Sequence, residues 1–347
     1  MSLVSVATEF WRATEAGGLR HGGDLAFARG RFPGAPAPWV DLSTGINPRS
    51  YPVGEIDAEL WGRLPGAAAL EALEAAAATA YGAPSQAFVA ASPGTQALIQ
   101  LLPRLVPARR VAILGYGYQE HPKAWRAAGS EVLVVDDFAD LTRSGADVVV
   151  VVNPNNPDGR LVDPGLLLKL AARLRILGRT LIVDESFMDV MTPDASLAPH
   201  LADEATIVLR SFGKTYGLAG VRLGFALCTP LFVQRVKASL GPWAVSGPAL
   251  DIGRRALLDR GWLDDAKTRL IEDAQRLDQL LASAGLEIVG GTPLFRLARS
   301  SDAYSWFERL GQSGVLVRPF AARPCWLRFG TPGDELAWAR LTEALDR

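Results

Sequence analysis

The chain is poor in cysteine and lysine and has no long apolar run, and each shortage excludes a class of protein. Its 347 residues include two cysteines, Cys228 and Cys325. They lie far apart, lack metal-ligand spacing and are too few for a disulfide framework, so a reducing, cytoplasmic setting is expected. No apolar stretch reaches the roughly 18 residues of a membrane span. The N-terminal stretch has no charged segment leading into an apolar one, so no secretory leader is expected. A formal net charge of −1 gives no global electrostatic case for nucleic acid or an anionic membrane. The glycine-rich stretch 213–224 lacks the G-x-G-x-x-G turn of dinucleotide sites. No internal repeat or low-complexity linker is present.

What remains is an ordinary globular composition, 49% hydrophobic and 21% charged. The length is generous for one core and comfortable for two domains. Residues 1–50, rich in Gly and Pro, read as an extended arm. From Ala67 to Tyr81 an Ala- and Leu-rich run predicts a helix stopped by Gly82 and Pro84. Beyond it, short β-rich runs alternate with helical ones. Strands are predicted at Phe88–Ala91, Val111–Leu114, Glu131–Val135, Val148–Val152, Thr180–Val183, Thr206–Leu209 and Val221–Ala226. Helices are predicted at Thr95–Leu105, His121–Ala128 and Pro164–Leu177. Continuous apolar strands between helices indicate a mainly parallel sheet covered on both faces, with ligands at the carboxyl ends of its strands. After about Leu240 the pattern changes to a long charged helix, 261–284, then short strands and helices of a small α+β domain.

Only five of the 36 basic Lys and Arg residues are lysines. One of them, Lys214, stands in the glycine-rich run Ser211-Phe212-Gly213-Lys214-Thr215-Tyr216-Gly217. An amine can form a Schiff base and a guanidinium cannot, so a lysine kept here suggests amine chemistry. Ser211 and Arg222 beside it suit an anion such as phosphate. Asp184 ends an apolar run, where a carboxylate can keep a ring nitrogen protonated; alone it reads equally as a helix cap. Asn153-Pro154-Asn155-Asn156 follows another strand and offers an amide donor, or a plain turn. Gly94-Thr95 opens a helix as an anion site or a simple N-cap by Thr95. Tyr118 follows the next strand and can stack on a planar ring or on ordinary apolar neighbours. Arg328 sits among apolar residues on a predicted strand, as a carboxylate fork or a solvent-facing edge residue.

In order and spacing, Gly94-Thr95, Tyr118, Asn156, Asp184, Ser211, Lys214, Arg222 and Arg328 together resemble the fold type I pyridoxal-phosphate (PLP) enzymes of the aspartate-aminotransferase superfamily, over nearly the whole chain. The resemblance implies an α/β fold: a large domain with a mainly parallel seven-stranded sheet, plus a smaller α+β domain. Residues 1–50 would be an arm and part of the small domain, 51–240 the PLP-binding domain and 241–347 the small domain. Lys214 would carry pyridoxal 5'-phosphate and Asp184 would pair its ring nitrogen, the two being the catalytic pair. Asn156 would bond the phenolic oxygen and Tyr118 would stack on the ring. Gly94, Thr95, Ser211 and Arg222 would hold the phosphate. His21, Gly45, Asn156, Arg318 and Arg328 would meet a small phosphorylated amino-acid substrate. A homodimer is implied, and no metal.

The sequence departs from the superfamily pattern twice. Phe187 stands where relatives commonly carry a Tyr that bonds the phenolic oxygen, so the Schiff base is expected to be more basic. Leu64-Pro65 stands where many have Tyr-Pro, which removes an intersubunit phosphate contact. Within the superfamily the chain is similar to the histidinol-phosphate aminotransferase branch. More narrowly it resembles the L-threonine-O-3-phosphate decarboxylases of cobalamin biosynthesis, on His21-Gly22-Gly23-Asp24, on the run from Asp41 to Pro48, and on Phe187. The first expectation is therefore decarboxylation of L-threonine O-3-phosphate. Transamination with the same apparatus stands beside it, as does a binding module without turnover, which the presence of Lys214 and Asp184 disfavours.

Overall fold

A computed structural model describes residues 21–201 and 206–346, so the first twenty residues of the expected arm lie outside the described residues. The chain divides into two compact units. One is Ser50–Asp265, and the other joins the residues up to Arg49 with those from Ala266.

The larger unit is built on one sheet of seven strands: β1 Val89–Ser92, β2 Arg110–Leu114, β3 Glu131–Val135, β4 Val148–Val152, β5 Thr180–Asp184, β6 Thr206–Ser211 and β7 Gly224–Leu227. Their order across the sheet is β1-β7-β6-β5-β4-β2-β3. β7 runs antiparallel to both neighbours, and the remaining pairs are parallel. The sheet is thus mainly parallel, as expected. The logic is plainest in β4, five consecutive valines that are all buried. Val149 and Val151 enter one core with Leu167 and Leu170 of the helix Pro164–Ile176. Val148 and Val150 enter the opposite core with Leu98, Ile99 and Leu102 of the helix Thr95–Leu105. A two-residue period with both faces apolar requires helices on both sides. Asp163 caps the helix Pro164–Ile176 by accepting from Leu166 N, with proline at its start.

Two helices unforeseen in the sequence, Pro230–Leu240 and Gly247–Leu258, bury Val233 and Val236 in one core and Ala249, Leu250 and Ala256 in the other. The division therefore falls after Asp265, within the helix Arg260–Ser283, and not after residue 240. β7 also begins later than expected. Ala219–Val221 forms a single 3-10 turn, and Arg222 takes a left-handed backbone, φ 55°, which breaks the strand before Gly224.

The smaller unit holds a four-stranded antiparallel sheet in the order Arg318–Pro319, Trp326–Gly330, Phe295–Arg299, Glu287–Thr292. Val40–Asp41 pairs in parallel with Val315–Leu316. The expected arm is not all irregular, because Leu25–Arg31 is a helix capped by Asp24 from Phe27 N. Phe32, Leu42, Phe307, Phe329 and Trp338 centre this unit's core. Among the described residues no helix is long and apolar enough to cross a membrane.

Candidate active site

At the carboxyl ends of β4, β5 and β6 the larger unit has a cavity of about 130 Å³. Its lining includes Gly94, Thr95, Tyr118, Asn156, Asp184, Ser211, Lys214 and Arg222, all the residues of the larger unit that the sequence pattern singled out. Gln96, Ser186 and Phe187 line it too.

Asp184 is the last residue of β5 and is buried. Its Oδ1 accepts from Ser186 N at 3.0 Å and Ser186 Oγ at 2.5 Å, a local turn and not the helix cap that the sequence also allowed, since Phe187 flanks the next element, Met188–Val190. Its Oδ2 accepts from His121 Nε2 at 2.8 Å. Burial by itself raises a carboxyl group's pKa, but the bonds from His121 and Ser186 outweigh it and hold Asp184 below the ordinary value. His121 was missed in the sequence. It sits three residues beyond Tyr118 on the buried side of the helix Glu120–Ala127, beside Ala124 and Trp125.

Lys214 lies on a one-turn helix, Phe212–Thr215, that directly follows β6 and Ser211. Its Nζ is 5.4 Å from the centroid of the Phe187 ring. The turn is braced by aromatic stacking: Phe212 on Tyr216 at 4.5 Å, and Tyr216 on Trp262 at 5.5 Å.

The end of the pocket at Gly94 and Arg222 depends on missing side chains. Gly94 has φ +87°, and a Cβ there would stand 2.8 Å from Arg222 Nη2. A Cβ on Gly224 would stand 2.5 Å from Thr95 N. The structure makes Gly94 the cap and Thr95 the first helical residue, which corrects the reading of Thr95 as an N-cap. Arg222, bent back by its left-handed backbone, donates through Nη1 to Ala219 O at 3.1 Å.

Asn156 is positioned by its neighbour. Asn155 Nδ2 donates to Tyr116 O at 3.0 Å and to Asp158 Oδ1 at 2.8 Å, joining this turn to the loop that carries Tyr118. Tyr118 Oη donates to Gln96 Oε1 at 3.0 Å.

The remaining expected residues, His21, Gly45, Arg318 and Arg328, belong to the smaller unit. Arg328 is 7% exposed and lies on a strand with partners on both sides, so it is neither an edge residue nor solvent-facing. It donates to Ser43 O at 2.8 Å. Arg318 stands directly opposite Arg328 across their two strands, which puts both on one face. Gly23 N donates to Ser43 Oγ at 2.7 Å, and Gly330 N to Leu42 O at 2.7 Å. The start of the described arm and the 42–45 segment are thereby fixed beside the Arg328 strand.

A family model described as aminotransferase class I and II matches residues 56–345. The chain is 43% identical over 328 residues to a threonine-phosphate decarboxylase of Pseudomonas aeruginosa, covering 94% of this chain and 97% of that one. It is 42% identical over 329 residues to a threonine-phosphate decarboxylase of a Sinorhizobium species, with the same coverage. Among solved structures, a histidinol-phosphate aminotransferase of Sinorhizobium meliloti in complex with pyridoxal-5'-phosphate superposes with a TM-score of 0.80. It is 22% identical and covers 92% of this chain and 94% of that one, a likeness of fold.

Proposed function

Because this chain belongs to the class I and II aminotransferase family, we propose that it binds pyridoxal 5'-phosphate and decarboxylates L-threonine O-3-phosphate to (R)-1-amino-2-propanol O-2-phosphate, a step of cobalamin biosynthesis. One observation carries the choice of reaction: identity of 43% and 42% to threonine-phosphate decarboxylases over 94% of the chain, against 27% over 88% of it to a histidinol-phosphate aminotransferase of Cupriavidus pinatubonensis.

The pocket suits the cofactor on structural grounds. A buried carboxylate is held ionised at its wall, a lysine amine lies in the same cavity, and an arginine packs where a Cβ on Gly94 would intrude. The chemistry supplied by bound pyridoxal phosphate is an aldehyde for the Lys214 amine and a protonated ring that takes up the electron pair left when CO2 departs. Asp184 would keep the proton on the ring nitrogen, since an ionised neighbour favours N–H⁺. Asn156 would donate to the phenolic oxygen and Tyr118 would lie against the ring. Gly94, Thr95, Ser211 and Arg222 would hold the phosphate with backbone N–H, hydroxyl and guanidinium donors. Lys214 would hold the cofactor through its amine, and its Nζ, in the same cavity, would be the group placed to deliver a proton to the substrate Cα.

On the substrate side, Arg328 with the Gly45 segment is assigned to the carboxylate, and His21 and Arg318 to the phosphate; Asn156 also meets the substrate. The burial of Arg328 and its bond to Ser43 support a fixed guanidinium fork. A homodimer is part of the same proposal, as the resemblance to the superfamily implies. The cytoplasm is the compartment proposed, since Cys228 and Cys325 are both free.

The test is to load the purified enzyme with PLP, add L-threonine O-3-phosphate, and follow CO2, amino-alcohol phosphate and keto acid. CO2 with the amino-alcohol phosphate is the expected outcome. Keto acid without CO2 turns the reading to transamination. Lys214→Ala is expected to lose both turnover and the visible absorbance of bound cofactor.

A further inference from the structure

Behind β5 and β6 lies a buried charge cluster with no part in the chemistry described so far. Arg210 immediately precedes Ser211, and Glu185 immediately follows Asp184. Neighbouring side chains on a strand point to opposite faces. Asp184 and Ser211 accordingly line the pocket, while Arg210 and Glu185 do not. Glu185 N donates to Leu209 O at 2.9 Å, carrying the ladder one residue past the end of β5.

Arg210 is 4% exposed. Its Nη1 donates to Glu185 Oε2 at 2.8 Å and to Ser196 Oγ at 3.2 Å, and its Nη2 donates to Asp189 Oδ1. The guanidinium carbon lies 4.4 Å from the centroid of the Tyr81 ring. Glu185 also accepts from Ser196 Oγ at 2.6 Å and Leu197 N at 2.7 Å. One guanidinium therefore ties two carboxylates of the segment after Asp184 to the strand that delivers Ser211 and Lys214. Burial pushes the Glu185 carboxyl up, with Arg210, Ser196 and Leu197 pulling it back. Burial likewise opposes the Arg210 charge, and Asp189 and Glu185 more than restore it. Loosening any member leaves a charge without water or partner, so such a cluster holds one arrangement strongly.

We propose that Arg210 is a positioning residue for the cofactor site: through Glu185 and Asp189 it fixes where the Asp184 carboxylate stands relative to Ser211 and Lys214. The proposal rests on the cofactor assignment above, and not on the choice between decarboxylation and transamination.

The test compares Arg210→Lys and Arg210→Met with the parent, each loaded with PLP. Far-UV circular dichroism reports folding. The readouts are the PLP dissociation constant, the pH profile of the bound cofactor's absorbance, and kcat against KM. Lysine keeps the charge but lacks the planar fork that serves two carboxylates at once. Arg210→Lys is expected to fold, to hold PLP about tenfold less tightly, to shift the absorbance profile, and to lower kcat with KM little changed; a misplacement near 1 Å costs a factor of that order or more. Arg210→Met is expected to lose more on every readout. Should Arg210→Met not fold, Arg210→Lys decides. A folded Arg210→Lys with parental PLP affinity, absorbance profile and kcat overturns the proposal, as does a loss confined to thermal stability. A parent that binds no PLP overturns the cofactor assignment and this proposal together, whereas a PLP-loaded parent with parental variants overturns this proposal alone.

Discussion

Asp184 shows how one residue's environment prepares its chemistry. The group is buried, and burial alone favours the neutral acid, yet the donors His121 and Ser186 hold its pKa below the ordinary 3.8. The folded state then binds fewer protons than the unfolded state in acid. Asp184's contribution to stability is complete above the ordinary carboxylate value and disappears as pH falls through the lowered one. His121→Leu removes a donor and leaves the carboxylate buried, so the Asp184 pKa rises. The expected loss is roughly 1.5–3 kcal/mol at neutral pH, the value of a hydrogen bond to a charged group. Urea unfolding at a series of pH values checks it: the deficit is full near neutrality and narrows below the carboxylate range. A variant with parental stability at every pH contradicts the role given to His121. Sequence led to Asp184 because strand ends in parallel sheets are where ligands bind. It did not lead to His121, whose partner lies 63 residues away along the chain; the one available sign was a polar side chain on an otherwise apolar helix face.

At the scale of elements, the pocket depends on how closely β7 approaches the start of the helix Thr95–Leu105. Gly224 lets that backbone sit where a Cβ would be 2.5 Å from Thr95 N. Gly224→Ala has backbone, and not a flexible side chain, in its way, so the helix start must shift. The expected effect is a stability loss of about 1–3 kcal/mol from overpacking, together with weaker PLP retention, read by thermal unfolding and by cofactor titration. Parental PLP affinity in the folded variant argues that the Gly94-Thr95 end does not hold the phosphate. The main strands and helices were legible because valine runs and an alanine-rich helix speak with one voice on propensity and burial. The helices Pro230–Leu240 and Gly247–Leu258 were not foreseen. In the structure Pro230 and Pro248 stand in the first turn, where the missing N–H costs nothing. The late start of β7 was hidden as well, because nothing in Val221-Arg222-Leu223 announces that Arg222 takes a left-handed backbone.

For the whole molecule, fold and reaction are separate questions. A TM-score of 0.80 to an aminotransferase at 22% identity shows that this architecture also carries that chemistry. The residues proposed for pyridoxal phosphate share one cavity because they end or follow β1, β2, β4, β5 and β6 or, for Arg222, precede β7 of one unit. The substrate side was less legible in the sequence: guanidinium groups such as Arg318 and Arg328 bind carboxylate and phosphate alike. Phe187, packed near Lys214 with no hydroxyl to offer, is the pocket's own departure from the transaminase pattern. The most direct measurement uses L-threonine O-3-phosphate labelled at its carboxyl carbon, in excess over the PLP-loaded enzyme. One labelled CO2 is expected for each (R)-1-amino-2-propanol O-2-phosphate formed, with the cofactor still in its aldehyde form after many turnovers. Label retained in a keto acid, with the cofactor converted to its amine form, would contradict it.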